Sequence, residues 1–204
     1  MIYLLSRLIF KFILLLFFGF EVKGRENIPK KGPFIMVSNH TSYVDPAVVG
    51  VACNTVPLVF MAKKEIFNVP ILGPWVKAVG CIPVGRGSRE FKPLKEALQR
   101  LKCGESLCIF PEGTRSPDGN LQKAQPGIGL IAAKSGAPVV PAYVSGTNKA
   151  MPKGKKYITP CKITAKIGKI VDLGECLRAP QKRHTYDSIG ERVMCSISEL
   201  KSDA

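Results

Sequence analysis

Short apolar runs alternate along the chain with segments of helical periodicity, and this alternation constrains the fold more than any other feature. Six strands are predicted, at Phe34–Val37, Pro57–Met61, Cys81–Val84, Leu107–Phe110, Val139–Val144 and Lys162–Ile170. The first five are nearly all apolar, as in strands that are covered on both faces of a sheet. Strands that alternate with helices predict an α/β domain with a largely parallel or mixed sheet flanked by helices. A length of 204 residues suits one such domain rather than two.

The last strand and the last helix have patterns of their own. In Lys162–Ile170 the apolar Ile163, Ala165 and Ile167 alternate with polar residues, which predicts a half-buried strand. Near the C-terminus, apolar residues recur at helical spacing and form one stripe, comprising Ile189, Val193, Ile197 and Leu200. We therefore expect a final helix that packs against the domain along this stripe.

Residues 1–20 form an apolar N-terminal segment that only Ser6, Arg7 and Lys11 interrupt. The uninterrupted run Phe12–Phe20 is shorter than the roughly 20 residues of a spanning helix. We predict a membrane-associated helix over residues 1–20, with Arg7 and Lys11 reaching lipid head groups, followed by one domain over residues 21–204. A single span, a secretory signal peptide and a buried core helix are the alternatives, although no small-residue cleavage site follows Phe20.

The chain is strongly basic, with a formal net charge of +15. No acidic residue occurs from Gly119 to Val171, and the lysines of this stretch are Lys123, Lys134, Lys149, Lys153, Lys155, Lys156, Lys162, Lys166 and Lys169. Such a surface attracts anionic partners. We interpret it as a surface that faces an anionic membrane, and a solvated face that only aids solubility is the alternative. Because no helix-turn-helix, zinc-finger or aromatic RNA-binding signature is present, nucleic acid is not expected as a partner.

Metal chemistry is not indicated by the sequence. None of the seven cysteines forms a C-x2-C pair, and the chain has only two histidines. These spacings suit neither a zinc site nor a disulfide framework. We therefore expect no metal site.

A polar segment, Asn39–Pro46, follows the first predicted strand. Asp45 followed by Pro46 is a typical helix start, with Asp as the capping residue. However, His40 lies at a strand end, where α/β proteins place functional groups. If the turn folds back on the helix start, the Asp45 carboxylate can hold one imidazole nitrogen of His40 and leave the other to accept a proton. The spacing is compatible with both a helix cap and a catalytic dyad.

A second polar segment, FPEGTRS at residues 110–116, follows the strand that ends at Phe110. One interpretation is a polar turn closed by Ser116–Gly119. In the other, Gly113 lets the backbone approach a ligand closely, and the guanidinium of Arg115 binds a phosphate.

Taken together, NHTSYVD at 39–45 and FPEGTRS at 110–116 resemble signature blocks of the glycerolipid acyltransferase family, and most closely those of bacterial 1-acylglycerol-3-phosphate acyltransferases. The resemblance spans residues 32–146. Further blocks occur in the order found in the family: MAKKE at 61–65, IPVGR at 82–86 and VVPAY at 139–143. The combination is highly specific, whereas any single block is not.

The resemblance implies transfer of a fatty acyl group from an acyl thioester to the sn-2 hydroxyl of 1-acyl-sn-glycerol 3-phosphate, giving phosphatidate in phospholipid synthesis. His40 is then the general base and Asp45 orients it. The implied substrate-binding residues are Lys63, Arg86, Glu112, Gly113, Thr114 and Arg115. Among these, Glu112 is expected to orient the arginines. The donor is acyl-CoA or acyl carrier protein, and no other cofactor is expected.

One position departs from the family pattern. Many members carry a basic residue immediately before the Pro-Gly pair that is Pro126-Gly127 here, and this chain has Gln125. Two other functions remain open: acylation of glycerol 3-phosphate or another lysolipid by an enzyme of the same family, and, less favoured by the motifs, binding of an anionic membrane or nucleic acid by a basic protein without catalysis. For an enzyme of lipid synthesis we expect the cytoplasmic face of the plasma membrane or inner membrane, reached through the N-terminal helix.

Overall fold

The computed structural model describes residues 1–85, 91–152, 154 and 157–202, and within these residues seven strands form one sheet. The strands are β1 (Glu21–Lys23), β2 (Ile35–Ser38), β3 (Leu58–Lys63), β4 (Ile82–Val84), β5 (Ser106–Ile109), β6 (Val139–Ser145) and β7 (Thr164–Ile167). Their order across the sheet is β1-β7-β6-β2-β5-β3-β4. Neighbouring strands are parallel except for β6 and β7. The prediction of an α/β fold with a parallel or mixed sheet is confirmed.

Helices connect most of the strands. The α-helices are α1 (Ile2–Phe18), α2 (Asp45–Ala52), α3 (Leu72–Ala78), α4 (Lys92–Lys102), α5 (Pro126–Ser135), α6 (Thr147–Ala150), α7 (Gly174–Arg178) and α8 (Arg183–Ser202). Short 3-10 helices occur at Arg25–Asn27 and Lys64–Asn68. The predicted last helix is confirmed, because Ile189, Val193 and Ile197 of α8 are buried.

All six predicted strands are present, although their ends differ from the predicted ends by a few residues. The last is shorter than predicted, yet its alternation is as expected, since Ile163, Ala165 and Ile167 are buried. Strand β1 was not predicted, because its three residues are too few to establish a period. This strand forms through parallel pairing with β7, with Glu21 in register with Thr164.

Helices cover both faces of the sheet, which explains why the central strands are nearly all apolar. On one face, α1 and α2 pack against side chains such as Met36, Leu58 and Val140. On the other face, α4, α5 and α8 pack against side chains such as Val37 and Leu107. The domain therefore has three layers, with the sheet in the middle.

Five adjacent strands (β6, β2, β5, β3 and β4) are mutually parallel, so their carboxyl ends lie at one edge, here called the carboxyl edge. The segment after β2 begins with Asn39 and His40, and the segment after β5 begins with Phe110. Because β2 and β5 are neighbours, the two polar segments singled out in the sequence emerge side by side.

Helix α1 packs against the domain along one stripe. Leu14 and Phe18 are buried in the core on the α2 side of the sheet. Nearer the N-terminus, the indole nitrogen of Trp75 donates to Ser6 Oγ at 2.9 Å, and Arg7 donates to the carbonyl of Cys53 at 3.4 Å. The expectation that Arg7 reaches lipid head groups is therefore wrong, because this guanidinium faces the protein.

The opposite side of α1 exposes large apolar side chains. This apolar face of α1 comprises Ile2, Leu4, Leu5, Leu8, Ile9, Phe12, Ile13, Leu15, Leu16 and Phe17. Exposed apolar patches of this extent mark contact with a membrane or another protein. Within the described residues, no helix combines the length and apolar character needed to cross a membrane. The single-span alternative thus has no support here.

On the other side of the sheet, α5 and α8 approach each other closely at a glycine. A Cβ atom at Gly129 would lie 1.9 Å from the carbonyl oxygen of Tyr186 in α8. At Gly127, in the same helix, a Cβ atom would meet only Leu94 at 3.5 Å, an ordinary contact. The α5–α8 contact thus requires glycine at 129 but not at 127.

We expect Gly129→Ala to lower the free energy of unfolding by about 1–3 kcal/mol, because backbone must move to admit the methyl group. Gly127→Ala is the matched control and should be neutral or stabilising by up to about 1 kcal/mol, since alanine favours helix. Urea unfolding followed by circular dichroism measures both. Equal effects of the two substitutions would contradict this description of the helix contact.

Candidate active site

His40 and Asp45 meet at the carboxyl edge. His40 Nδ1 lies 2.9 Å from Asp45 Oδ2, and the Asp45 carboxylate is buried. The same oxygen accepts hydrogen bonds from the backbone N–H groups of Thr41 and Ser42, both at 2.7 Å. The chain after β2 therefore folds back on the start of α2, as the dyad interpretation requires.

The helix-cap alternative does not describe how Asp45 is used. Val44 occupies the capping position and Asp45 is the first residue of α2. Its carboxylate accepts hydrogen bonds from His40, Thr41 and Ser42, in the turn that precedes the helix, and does not cap the N–H groups of α2. A neutral His40 that donates from Nδ1 to this carboxylate leaves Nε2 free to accept a proton.

The second polar segment holds the backbone of His40. The N–H of His40 donates to Glu112 Oε1 at 2.9 Å, across 72 residues of sequence. The carbonyl of His40 accepts from the N–H of Ser116 at 2.7 Å. The imidazole also stacks on Phe110, with ring centres 4.2 Å apart. Both polar groups of the His40 backbone and its ring are thus fixed by residues 110–116.

Glu112 is almost completely buried, with 1% of its surface exposed. Besides the His40 N–H, its carboxylate accepts the N–H of Gln122 at 3.2 Å. Burial raises the pKa of Glu112, and the two backbone hydrogen bonds oppose that rise. Glu112 was predicted to orient the arginines, which stays a prediction. These hydrogen bonds give it a further role, which is to hold the His40 backbone.

Gly113 and Thr114 are exposed beside Glu112. Gly113 has a φ of +69°, and a Cβ atom there would lie 2.9 Å from the side chain of Gln125. Both observations favour glycine for the turn and for its packing against Gln125. The predicted close approach of a ligand at Gly113 stays a prediction.

Arg115 lies over the ring of Tyr43, with the guanidinium carbon 3.5 Å from the ring centre. Tyr43 belongs to the His40 segment and is 57% exposed. This cation–π contact fixes the guanidinium next to the turn that carries His40. An anion bound by Arg115 would therefore lie at the carboxyl edge, on the side of the two polar segments.

Two further basic residues were predicted to bind the substrate, Lys63 and Arg86. Lys63 ends β3 and forms an ion pair with Glu65, with 3.1 Å between Nζ and Oε1. Since β5 lies between β3 and β2, Lys63 is two strands, about 10 Å, from the His40 strand. Its backbone is in register with Val84, the last residue of β4. Arg86 follows shortly after Val84 and lies outside the described residues.

The predicted polar turn after Arg115 is also present. Ser116 Oγ donates to Asp118 at 2.9 Å, and the N–H of Gly119 donates back to Ser116 Oγ at 3.0 Å. Hydrogen bonds from Asn120, and then from Ser116, lower the pKa of Asp118 to about 2. The turn and the contact with His40 therefore coexist, since Ser116 takes part in both.

Polar side chains that were not predicted tie residues 39–44, here called the His40 turn, to β6 and to α6 with the residue that follows it. The Asn39 amide exchanges two hydrogen bonds with the backbone of Val144, at 2.9 and 2.7 Å. The hydroxyls of Thr41 and Thr147 lie 3.1 Å apart, and Ser42 donates to the carbonyl of Met151 at 2.8 Å. Buried polar groups need such partners. A row of polar residues directly after a buried strand was the available signal.

Comparison with known proteins identifies similar chains. The family model described as Acyltransferase matches residues 19–145. The 1-acyl-sn-glycerol-3-phosphate acyltransferase of Bacillus subtilis is 32% identical over 193 residues, which cover 94% of this chain and 93% of that protein. The chloroplastic 1-acyl-sn-glycerol-3-phosphate acyltransferase BAT2 of Brassica napus is 37% identical over 145 residues. That match covers 70% of this chain and 42% of the Brassica protein, so the chain spans less than half of that relative.

A solved structure has the same fold. The crystal structure of the 1-acyl-sn-glycerophosphate acyltransferase PlsC from Thermotoga maritima aligns with a TM-score of 0.76 and 32% sequence identity. The alignment covers 98% of this chain and 78% of the Thermotoga chain.

We predict that Glu112→Gln lowers the free energy of unfolding by about 1–3 kcal/mol. The glutamine side chain has only one acceptor oxygen, so the N–H of either His40 or Gln122 loses its buried partner. Chemical denaturation measures the change, with the exposed Glu191→Gln in α8 as the matched control, expected within about 0.5 kcal/mol of wild type. If both variants matched wild type, Glu112 would not be holding the His40 turn.

Proposed function

The chain belongs to the acyltransferase family, and we propose that it transfers a fatty acyl group from an acyl thioester to the sn-2 hydroxyl of 1-acyl-sn-glycerol 3-phosphate, giving phosphatidate. One observation carries this proposal: the 2.9 Å contact between His40 Nδ1 and the buried Asp45 carboxylate, in a turn held by Glu112 and Ser116. The relatives named above as 1-acyl-sn-glycerol-3-phosphate acyltransferases support this choice of substrate.

In the proposed reaction, His40 Nε2 takes the proton of the acceptor hydroxyl as that oxygen attacks the thioester carbonyl. The tetrahedral intermediate then expels the thiolate, so that the C–S bond breaks and the new C–O ester bond remains. The imidazolium returns its proton to the departing sulfur. Asp45 holds the imidazole in the required tautomer and stabilises its cationic form. A general base in this position contributes roughly 10²–10⁴ to the rate.

Direct transfer needs no covalent acyl-enzyme. The sequence has no G-x-S-x-G motif, in which a serine nucleophile is presented on a sharp turn. The hydroxyl of the acceptor is the nucleophile instead, and His40 activates it. This assignment leaves acyl-CoA and acyl carrier protein open as donors, since both present the same thioester.

We assign the acceptor phosphate to the basic groups of the carboxyl edge, with Arg115 as its main ligand. A guanidinium suits phosphate because it presents paired N–H donors. Tyr43 already orders this guanidinium, so less freedom is lost on binding. Arg86 and Lys63 are the further proposed ligands, and Lys63 must exchange its partner Glu65 for the phosphate. Gly113 and Thr114 border the same site.

Lipid substrates also require a membrane, and we propose that α1 supplies the attachment. Its apolar face is exposed along its length, and Lys11 on the same helix is exposed to interact with anionic head groups. A helix lying in the interface of the cytoplasmic leaflet fits these features. The lysophosphatidate acceptor stays in the bilayer while the thioester donor arrives from the aqueous side. Since Leu14 and Phe18 of α1 are part of the core, anchor and domain form one unit.

Offering the purified protein labelled acyl-CoA or acyl carrier protein with a panel of acceptors tests the proposal. We expect acylation of 1-acyl-sn-glycerol 3-phosphate, with the label at sn-2, and loss of at least about 100-fold in rate for His40→Ala. The acylation rate of Asp45→Asn should also fall steeply. His184→Ala is the control, because this second histidine is exposed on α8.

Two results would overturn different parts of the proposal. Preferred acylation of glycerol 3-phosphate or of another lysolipid would reassign the acceptor within the family. A His40→Ala protein that folds normally and keeps more than about a tenth of the rate would remove His40 as the base.

We predict that Arg115→Ala raises the KM for the acceptor by about tenfold or more and leaves the donor KM nearly unchanged. The reason is the loss of a charge-assisted hydrogen bond to phosphate, about 1.5–3 kcal/mol. Tyr43→Leu should give a smaller increase, and Tyr43→Phe almost none, because phenylalanine keeps the ring face. Kinetics with both substrates varied decide the point. An increase confined to the donor KM would place Arg115 at the donor.

A further inference from the structure

A second apolar feature lies next to α1. The segment Val69–Leu72, here called the Ile71 turn, connects the 3-10 helix Lys64–Asn68 to α3. Its apolar side chains point outward: 90% of Ile71 is exposed, as are 43% of Val69 and 40% of Leu72. Packing within the domain does not explain why these residues are apolar, since the tip of the turn is in solvent.

The backbone of the Ile71 turn is strained. The N–H of Leu72 donates to the carbonyl of Pro70 at 2.7 Å, and Ile71 between them has φ +66° and ψ −52°. This is a γ-turn of the positive-φ type, which is rare and strained, and a β-branched residue is a clear outlier in it. Among the described residues, Ile71 is the only non-glycine with positive φ. Strain of this kind persists where neighbours enforce it and often accompanies function.

The neighbours that enforce the turn connect it to α1. Gly73 packs so closely that a Cβ atom there would lie 2.3 Å from the carbonyl oxygen of Phe67. The N–H of Trp75 donates to the carbonyl of Ile71 at 3.3 Å. The Trp75 ring contacts Phe10 of α1 edge to face at 5.9 Å, and its nitrogen donates to Ser6. The Ile71 turn is therefore fixed beside α1.

The turn also lies at the functional edge of the sheet. It follows the carboxyl end of β3 after one short 3-10 helix, and α3 then returns the chain to the amino end of β4. The His40 turn follows the carboxyl end of β2 in the same parallel sheet. A surface that engages the Ile71 turn would therefore be brought toward the edge that carries His40.

We propose that the Ile71 turn inserts into the lipid bilayer beside α1, as a second apolar contact that directs the carboxyl edge toward the membrane. The inference rests on the proposed function for its premise that the apolar face of α1 contacts lipid. A bilayer is favoured as the occupant because Trp75 joins the turn to α1, so that the exposed apolar side chains of the turn lie beside a helix whose own apolar face is exposed. The exposed Lys64, in the 3-10 helix that precedes the turn, suits anionic head groups.

The test uses the full chain and vesicles of phosphatidylethanolamine with phosphatidylglycerol. Ile71→Asp should lower the vesicle partition coefficient by about tenfold or more. The substitution removes the apolar side chain that would be buried in the bilayer and puts a charge in its place. The matched control is Leu177→Asp in α7, whose neighbour Cys176 packs against the core on the opposite face of the sheet from α1. Leu177→Asp should bind like wild type.

Ile71→Gly separates binding from stability. Glycine adopts positive φ without strain, so this variant should unfold at a temperature equal to or higher than wild type while binding vesicles more weakly. A purely structural role for Ile71 predicts unchanged binding and would overturn the proposal. Trp75, the sole tryptophan of the chain, supplies a local probe. Brominated lipids should quench its fluorescence in wild type and much less in Ile71→Asp.

The α1 variant Leu8→Asp/Phe12→Asp distinguishes this inference from its premise. If it loses vesicle binding while Ile71→Asp binds like wild type, the Ile71 proposal fails and the α1 attachment stands. If neither variant affects binding, the α1 attachment fails as well. Loss of a dimer on Ile71→Asp, with unchanged vesicle binding, would assign the turn to contact between copies. Turnover of a short-chain, monomeric acceptor should equal wild type for Ile71→Asp, which would show that catalysis itself is intact.

Discussion

The arrangement of the carboxyl edge depends on how one residue, His40, is held. Its imidazole is hydrogen-bonded to Asp45 and stacked on Phe110, and its backbone N–H and carbonyl are bonded to Glu112 and Ser116. A histidine fixed at ring and backbone cannot leave its position without breaking buried hydrogen bonds. Such preorganisation is what a general base needs, because the cost of orienting it falls on folding rather than on the reaction.

The parallel sheet makes this arrangement possible. Neighbouring parallel strands end at the same edge, so residues 72 positions apart meet without any long excursion of the chain. The same geometry places Lys63 at the edge, two strands away from the His40 strand. It also places the Ile71 turn there, and Trp75 joins that turn to α1. The site and the Ile71 turn therefore lie at the same edge of the sheet.

Much of this was accessible from the sequence, for identifiable reasons. Buried parallel strands leave short runs that are nearly all apolar, and the alternation of these runs with helical segments predicted the α/β fold. The polar segments that follow two of those runs singled out His40, Asp45 and Arg115 as candidate site residues. Other features depend on contacts that no local pattern encodes. Strand β1 exists only through its pairing with β7. The role of Glu112 depends on a partner, His40, at the end of the neighbouring strand. Arg7 is turned inward by the carbonyl of Cys53.

The tautomer of His40 is the central claim, and ¹⁵N NMR of histidine-labelled protein measures it directly. The exposed His184 serves as an internal reference, since the chain has two histidines. In neutral His40 we expect the proton on Nδ1, bonded to Asp45, and an unprotonated Nε2. In Asp45→Asn, the signal should no longer show a proton held on Nδ1 by a hydrogen bond to a carboxylate. A neutral His40 with its proton on Nε2 would contradict the proposal, because that nitrogen could not then accept the proton of a substrate hydroxyl.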